Sequence, residues 1–128
     1  MKKIEHAYLI DDNEFVLMIS EKIILNYTAF EKITSFTNGL LALNTIIETL
    51  KNKGQLPTVI FLDLNMPAMS GWAFLDAISV IKEAQEIVVY LFTASKDKED
   101  IKKATTYFQV KGFISKSLAT DDLDAVAN

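Results

Sequence analysis

Residues 59–75 read VIFLDLNMPAMSGWAFL: four large apolar residues, an aspartate, and then a turn written in proline and glycine. Val59, Ile60, Phe61 and Leu62 carry no polar residue between them, the pattern of a strand covered on both faces. A carboxylate directly after such a run is costly unless it reaches solvent or a partner. Asp63 is therefore expected to emerge at the carboxyl end of a buried strand. Met66, Pro67 and Gly71 punctuate the turn behind it, and Ser70 is placed to cap a helix over SGWAFLDAISVI.

The same grammar repeats on either side. AYLI (7–10) runs into Asp11, and helical spacing follows through Phe15, Ile19, Ile23 and Ile24. KITSF (32–36) precedes a helix whose face is predicted at Leu40, Leu43, Ile46, Ile47 and Leu50, stopped by Gly54 with Pro57 beyond. EIVVYLF (86–92) is a fourth strand, followed by a helix with Ser95 as cap, acids in its first turn and lysines later. GFIS (112–115) is a short fifth strand, and TDDLDAVA (120–127) is a last helix. Five β-then-α units predict an α/β fold, a doubly wound five-stranded parallel sheet with helices on both faces and right-handed crossovers.

The bulk numbers agree with one domain of this kind. The chain has 128 residues, half of them apolar, so it has the material for a core. A net charge of -4 and a pI near 4.9 argue against a nucleic-acid surface. No cysteine is present, which excludes disulfides, thiol catalysis and a cysteine zinc site. No run is long enough to cross a bilayer, and the first residues lack a signal-peptide core; a cytoplasmic protein is expected.

In an open parallel sheet, chemistry collects outside the carboxyl ends of the strands. Asp11 and Asp12 follow the first strand, Asp63 the third, Thr93 the fourth and Lys116 the fifth. Two carboxylates about 5 Å apart repel by about 3 kcal/mol at an effective dielectric of 20, so three on one rim call for a cation. Oxygen donors alone select a hard ion, and Mg²⁺ suits a site that must also accept phosphate. Taken singly, each residue has a plainer reading. Asp11 and Asp12 can cap a helix, Thr93 can fill a strand and Lys116 can be a solvated lysine. His6 reads as structural, Trp72 as packing at the start of the third helix.

LIDDN, FLDLNMPAMSG, LFTAS and KGFISK together resemble the motifs of the receiver domain of two-component response regulators (CheY-like), from Ile4 to about Ala127. That resemblance implies a flavodoxin-like strand order 2-1-3-4-5 and a single receiver domain over 1–128 with no output domain among these residues. It implies that Asp63 accepts a phosphoryl group from a histidine kinase or a histidine phosphotransfer protein. Asp11, Asp12 and Asp63, with the backbone carbonyl of Asn65, would hold Mg²⁺. Thr93 and Lys116 would engage the phosphoryl oxygens, and Phe113 stands at the position of the switch aromatic, acting with Thr93. The partners implied are the kinase and a downstream protein, with no direct contact to nucleic acid or membrane, and no enzymatic turnover beyond gain and loss of the phosphate. Two departures stand out. Ser117 follows the lysine where the family usually has proline, and TTYFQVKG (105–112) lacks the small glycine-bearing junction common there.

Two other functions compete. Phosphohydrolases with an aspartate nucleophile usually carry an aspartate two residues later as general acid, and Asn65 stands there instead. A phosphorylation-independent scaffold would have no need of the acidic pair, Thr93 and Lys116 together.

Overall fold

The computed structural model describes residues 2–93 and 97–128. Five strands alternate with helices: β1 (Ala7–Ile10), α1 (Glu14–Asn26), β2 (Ile33–Phe36), α2 (Gly39–Lys51), β3 (Val59–Leu62), α3 (Gly71–Ser79), β4 (Val88–Phe92), α4 (Lys98–Ala104), β5 (Val110–Ile114) and α5 (Thr120–Ala127). All pair in parallel in the order β2-β1-β3-β4-β5. This is the flavodoxin-like order.

Strand alternation divides the interior into two cores. Tyr8, Ile10, Ile60, Leu62, Val89 and Leu91 face α2, α3 and α4. Ala7, Leu9, Val59, Phe61, Phe92 and Ile114 face α1 and α5. Ile10, Leu62 and Phe36 lie side by side in register, with Leu91 next to Leu62. The residues after them therefore reach one rim together. β5 carries one irregularity: Val89 pairs with Val110 but Tyr90 with Gly112, so Lys111 is an extra residue.

The helices follow their caps more faithfully than their apolar counts. Ser70 caps α3 by accepting from the Ala73 N–H, as expected. The Ser95 reading lies outside the described residues; the cap seen on α4 is Asp97, which accepts from Glu99. In α1 the buried positions are Leu17, Ser20 and Ile24, whereas Phe15 and Ile19 are exposed. Residues 15–19 are all apolar, so spacing alone does not single out a stripe. In α2 the buried face is Gly39, Ala42 and Ile46, with Leu43 and Leu50 packed beside it, while Leu40 and Ile47 are exposed. A Cβ on Gly39 would lie 3.3 Å from Met69 and 3.4 Å from Phe74, so the smallest residues mark the closest approach, and Leu40 and Leu41 beside them are turned outward. Gly54 does help to end α2, but the left-handed residue is Lys53 (φ 55°). Its N–H bonds to Leu50 and that of Gly54 to Thr49, a Schellman ending with lysine where glycine is usual.

Gly71 holds the turn behind Asp63 against α3. Its N–H bonds to the Leu64 carbonyl at 3.0 Å, and an added Cβ would sit 2.5 Å from the Asp63 carbonyl oxygen and 2.8 Å from Leu64 Cα. Backbone cannot yield as a flexible side chain does. Gly71→Ala should cost about 3 kcal/mol, the upper end for overpacking. Urea denaturation measures this, and a loss below about 0.5 kcal/mol would mean that the turn relaxes freely.

Candidate functional site

The carboxyl ends of β1, β3, β4 and β5 enclose an open cavity of about 580 Å³ lined by Asp11, Asp12, Asn13, Asp63, Asn65, Thr93 and Lys116. Asp11 is fully buried and Asp63 is 3% exposed, whereas Asp12 is exposed. Backbone bonding puts them there: the Asp11 N–H donates to Phe36, that of Asp63 to Ile10 and that of Thr93 to Ile114, extending the sheet by one residue at each strand.

Lys116 joins the carboxylates. Its Nζ lies 2.7 Å from Asp11 Oδ2 and 3.6 Å from Asp63 Oδ2, and 5.6 Å from the centre of the Phe92 ring. The other Asp11 oxygen accepts the Asn13 N–H at 2.9 Å, and Asp63 Oδ1 accepts the Asn65 N–H at 3.3 Å. Burial first, then the charge of Asp11, pushes the Asp63 carboxyl up to about 6, against the opposing pull of Lys116 and the Asn65 N–H. Burial disfavours the Lys116 ammonium, but its hydrogen bond and attraction to Asp11, with Asp63 behind, hold its pKa above the ordinary value.

Three carboxylates and one ammonium leave the cluster two negative charges in excess when all are ionised. One oxygen from each of Asp11, Asp12 and Asp63 lies within 4.8 Å of the others. An all-oxygen, net-negative donor set of this size fits a hard divalent cation such as Mg²⁺. It offers nothing to a soft metal.

The sequence of residues 7–128 matches the model of the response regulator receiver domain family. The chain belongs to the response regulator receiver family. Receiver domains are phosphoryl-accepting signalling modules of two-component systems. Among solved structures, this receiver is similar to a two-component response regulator from Cytophaga hutchinsonii, at 30% identity over 98% of this chain and 95% of that one, with a TM-score of 0.88. It shares the fold of a response regulator receiver protein from Dyadobacter fermentans, at 24% identity over 95% and 94% of the two chains with a TM-score of 0.80. It also shares the fold of a phosphorylated cyanobacterial phytochrome response regulator, RcpA, at 21% identity over 99% and 89% with a TM-score of 0.74.

In this receiver the five rim residues expected from strand ends, Asp11, Asp12, Asp63, Thr93 and Lys116, line one cavity together with Asn65. Phe113 lies apart from the cavity, partly buried against the core on the α2–α4 side and paired in register with Leu91. Neither Asp11 nor Asp12 caps α1. That residue is Asn13, whose side chain accepts from Phe15 and Val16 while its own N–H holds Asp11. An asparagine directly before an amphipathic run was the available signal. The Lys116–Ser117 peptide is trans, and the turn from Ser115 closes through a Leu118 N–H bond to the Ser115 carbonyl, with Leu118 in the left-handed region at φ 48°. Among the described residues, no helix is long and apolar enough to cross a membrane.

The raised Asp63 pKa has a consequence for stability. The unfolded chain releases this proton near 3.8 and the folded chain near 6, so between them the folded state binds more protons. Stability from the neutral acid is present below the lower value and is lost as pH rises through the upper one. In EDTA, Asp63→Asn should therefore be more stable than the wild type at pH 7.5 by about 1–3 kcal/mol. The gap should close near pH 4. Equal urea midpoints at pH 7.5 would show that Asp63 bears no such penalty.

Proposed function

We propose that this chain is a cytoplasmic phosphorylation switch: Asp63 accepts a phosphoryl group from a histidine kinase or a histidine phosphotransfer protein, and the modified domain docks on a downstream protein. The observation that carries the reading is the Asp63 carboxylate, buried at the end of β3 with Asp11 and Asp12 on one side and the Lys116 ammonium 3.6 Å away. An Asp63 oxygen forms a bond to phosphorus as the bond from phosphorus to the donor imidazole nitrogen breaks, and the electron pair returns to the ring. The product is a mixed anhydride on Asp63.

Asp11, Asp12, Asp63 and the Asn65 backbone carbonyl would hold Mg²⁺, which supplies neutralisation of the phosphoryl oxygens. Lys116 lies within reach of Asp63 and offers those oxygens a fixed positive charge; Thr93 offers a hydroxyl from the end of β4. Asn13 and Asn65 act on geometry, each pinning one carboxylate oxygen through its backbone N–H. Because Asn65 is an amide where an aspartate-nucleophile phosphohydrolase has its acid, the anhydride is held as a signal and not turned over on outside substrates.

The switch would run through Thr93 and Phe113. Phosphorylation adds charge and acceptor oxygens at the rim. Thr93 follows them, and the space it leaves is taken by Phe113, which has no hydroxyl and is held inward by packing alone. The signal then reaches the face built from α4, β5 and α5.

Incubation with acetyl phosphate and Mg²⁺, followed by intact mass, tests the first step. The wild type should gain a single phosphate, and Asp63→Asn should gain none while keeping its fold. Labelling of that variant at the wild-type rate would put the nucleophile elsewhere. Thr93→Ala tests the second step: it should still accept phosphate, yet beryllofluoride should no longer shift the NMR signals of Ile101, Tyr107 and Phe113. Wild-type shifts in that variant would mean that the coupling takes another route.

A further inference from the structure

Helices α3 and α4 differ sharply in how they are held. α3 buries Gly71, Phe74, Leu75 and Ile78, and its first residue lies against the Asp63 carbonyl. α4 buries Ala104 alone; Ile101 is exposed. One methyl gives a helix little grip on a sheet.

A side-chain cluster at the end of α4 supplies what the core does not. The Tyr107 ring, three residues past α4, stacks on Trp72 of α3 with centroids 5.7 Å apart and planes at 23°. Lys103 Nζ sits 4.8 Å from the centre of the Trp72 ring. The Tyr107 hydroxyl donates to Asp76 Oδ1 at 2.7 Å, one turn along α3 from Trp72. Burial, then the Asp76 carboxylate, raises the Tyr107 phenol to about 12, so the hydroxyl stays a donor throughout the working pH range. A stack, a cation on its ring and a hydroxyl on a carboxylate thus tie α4 and the entry to β5 to α3, a firmly seated helix.

The geometry points to a latch: Trp72, Asp76, Lys103 and Tyr107 hold α4 in its resting position against α3, and α4 moves only when they part. The latch is built from side chains outside the cavity and does not depend on Asp63 chemistry. Its use in signalling rests on the function proposed above, because α4 belongs to the face through which the phosphorylated domain would be read. Two discrete arrangements, latched and released, would give that face two states separated by a few surface contacts.

Amide hydrogen exchange in EDTA, with no phosphoryl donor, tests the latch itself. Tyr107→Phe keeps the stack and loses the hydroxyl, and should speed exchange of the α4 amides at Lys102, Lys103 and Ala104 about threefold. Tyr107→Ala loses both, and should speed them at least tenfold while the amides of Ile60 and Leu62 in β3 stay unchanged. Trp72 is the only tryptophan, so its emission should move to longer wavelength in Tyr107→Ala. Unchanged α4 exchange, or equal acceleration in α4 and β3, overturns the proposal. Beryllofluoride with Mg²⁺ forms a separate arm. Faster α4 exchange in the wild type and no further gain in Tyr107→Ala would mean that the rim releases this latch; an equal gain in both would overturn the latch as the restraint on α4. If beryllofluoride changes neither protein, the Asp63 reading fails and the exchange result in EDTA still decides the latch.

Discussion

The ammonium of Lys116, 2.7 Å from one buried carboxylate and 3.6 Å from another, is the contact on which the upper half of this molecule depends. Asp11 is fully enclosed, and an isolated charge in such a place would cost more than a small domain can spare. Lys116 offsets that cost, and the Asn13 N–H takes the remaining oxygen. The pair spans 105 residues of sequence, from the end of β1 to the end of β5. It therefore fixes where β5 must finish, and with it the turn from Ser115 to Leu118 that leads into α5.

Asp63 sits in the same cluster under different terms. It has one N–H donor at 3.3 Å and shares a lysine whose stronger bond is to Asp11. Its carboxylate is the less satisfied of the buried pair, and under the function proposed above that is the one that would react. A group fully matched to its surroundings has no reason to react. On that reading the enclosed Asp11 would serve as scaffold, and the under-served Asp63 would be the one to meet a cation and an electrophile.

Much of this was legible in the residues because strand ends obey a simple rule. An apolar run of four or five residues in a parallel sheet has one exit, and whatever follows it stands on the rim. Asp11, Asp12, Asp63, Thr93 and Lys116 could be placed that way without knowing how any helix packs. The helix faces resisted the same treatment. Phe15 and Ile19 look like core by their chemistry, yet the face that packs runs through Leu17, Ser20 and Ile24 and leaves them in solvent. In α2 the contact is made by Gly39 and Ala42, whose value lies in the volume they lack, and counting apolar residues does not find them. The cluster around Trp72 joins residues of α3 to Lys103 of α4 and Tyr107 beyond it, more than thirty positions away, and no local pattern announces it.

The extra residue in β5 alters how this chain should be compared with its relatives. Val110 and Phe113 are three positions apart, yet both pack on the α2–α4 side, because Lys111 is taken up without a partner on β4. Counting backward from Ile114, strict alternation between the two cores holds only as far as Gly112, and Val110 falls on the opposite face from the one alternation assigns it. An alignment without gaps against a relative with an even strand would match Val110, which packs on the α2–α4 side, to a residue facing α1 and α5.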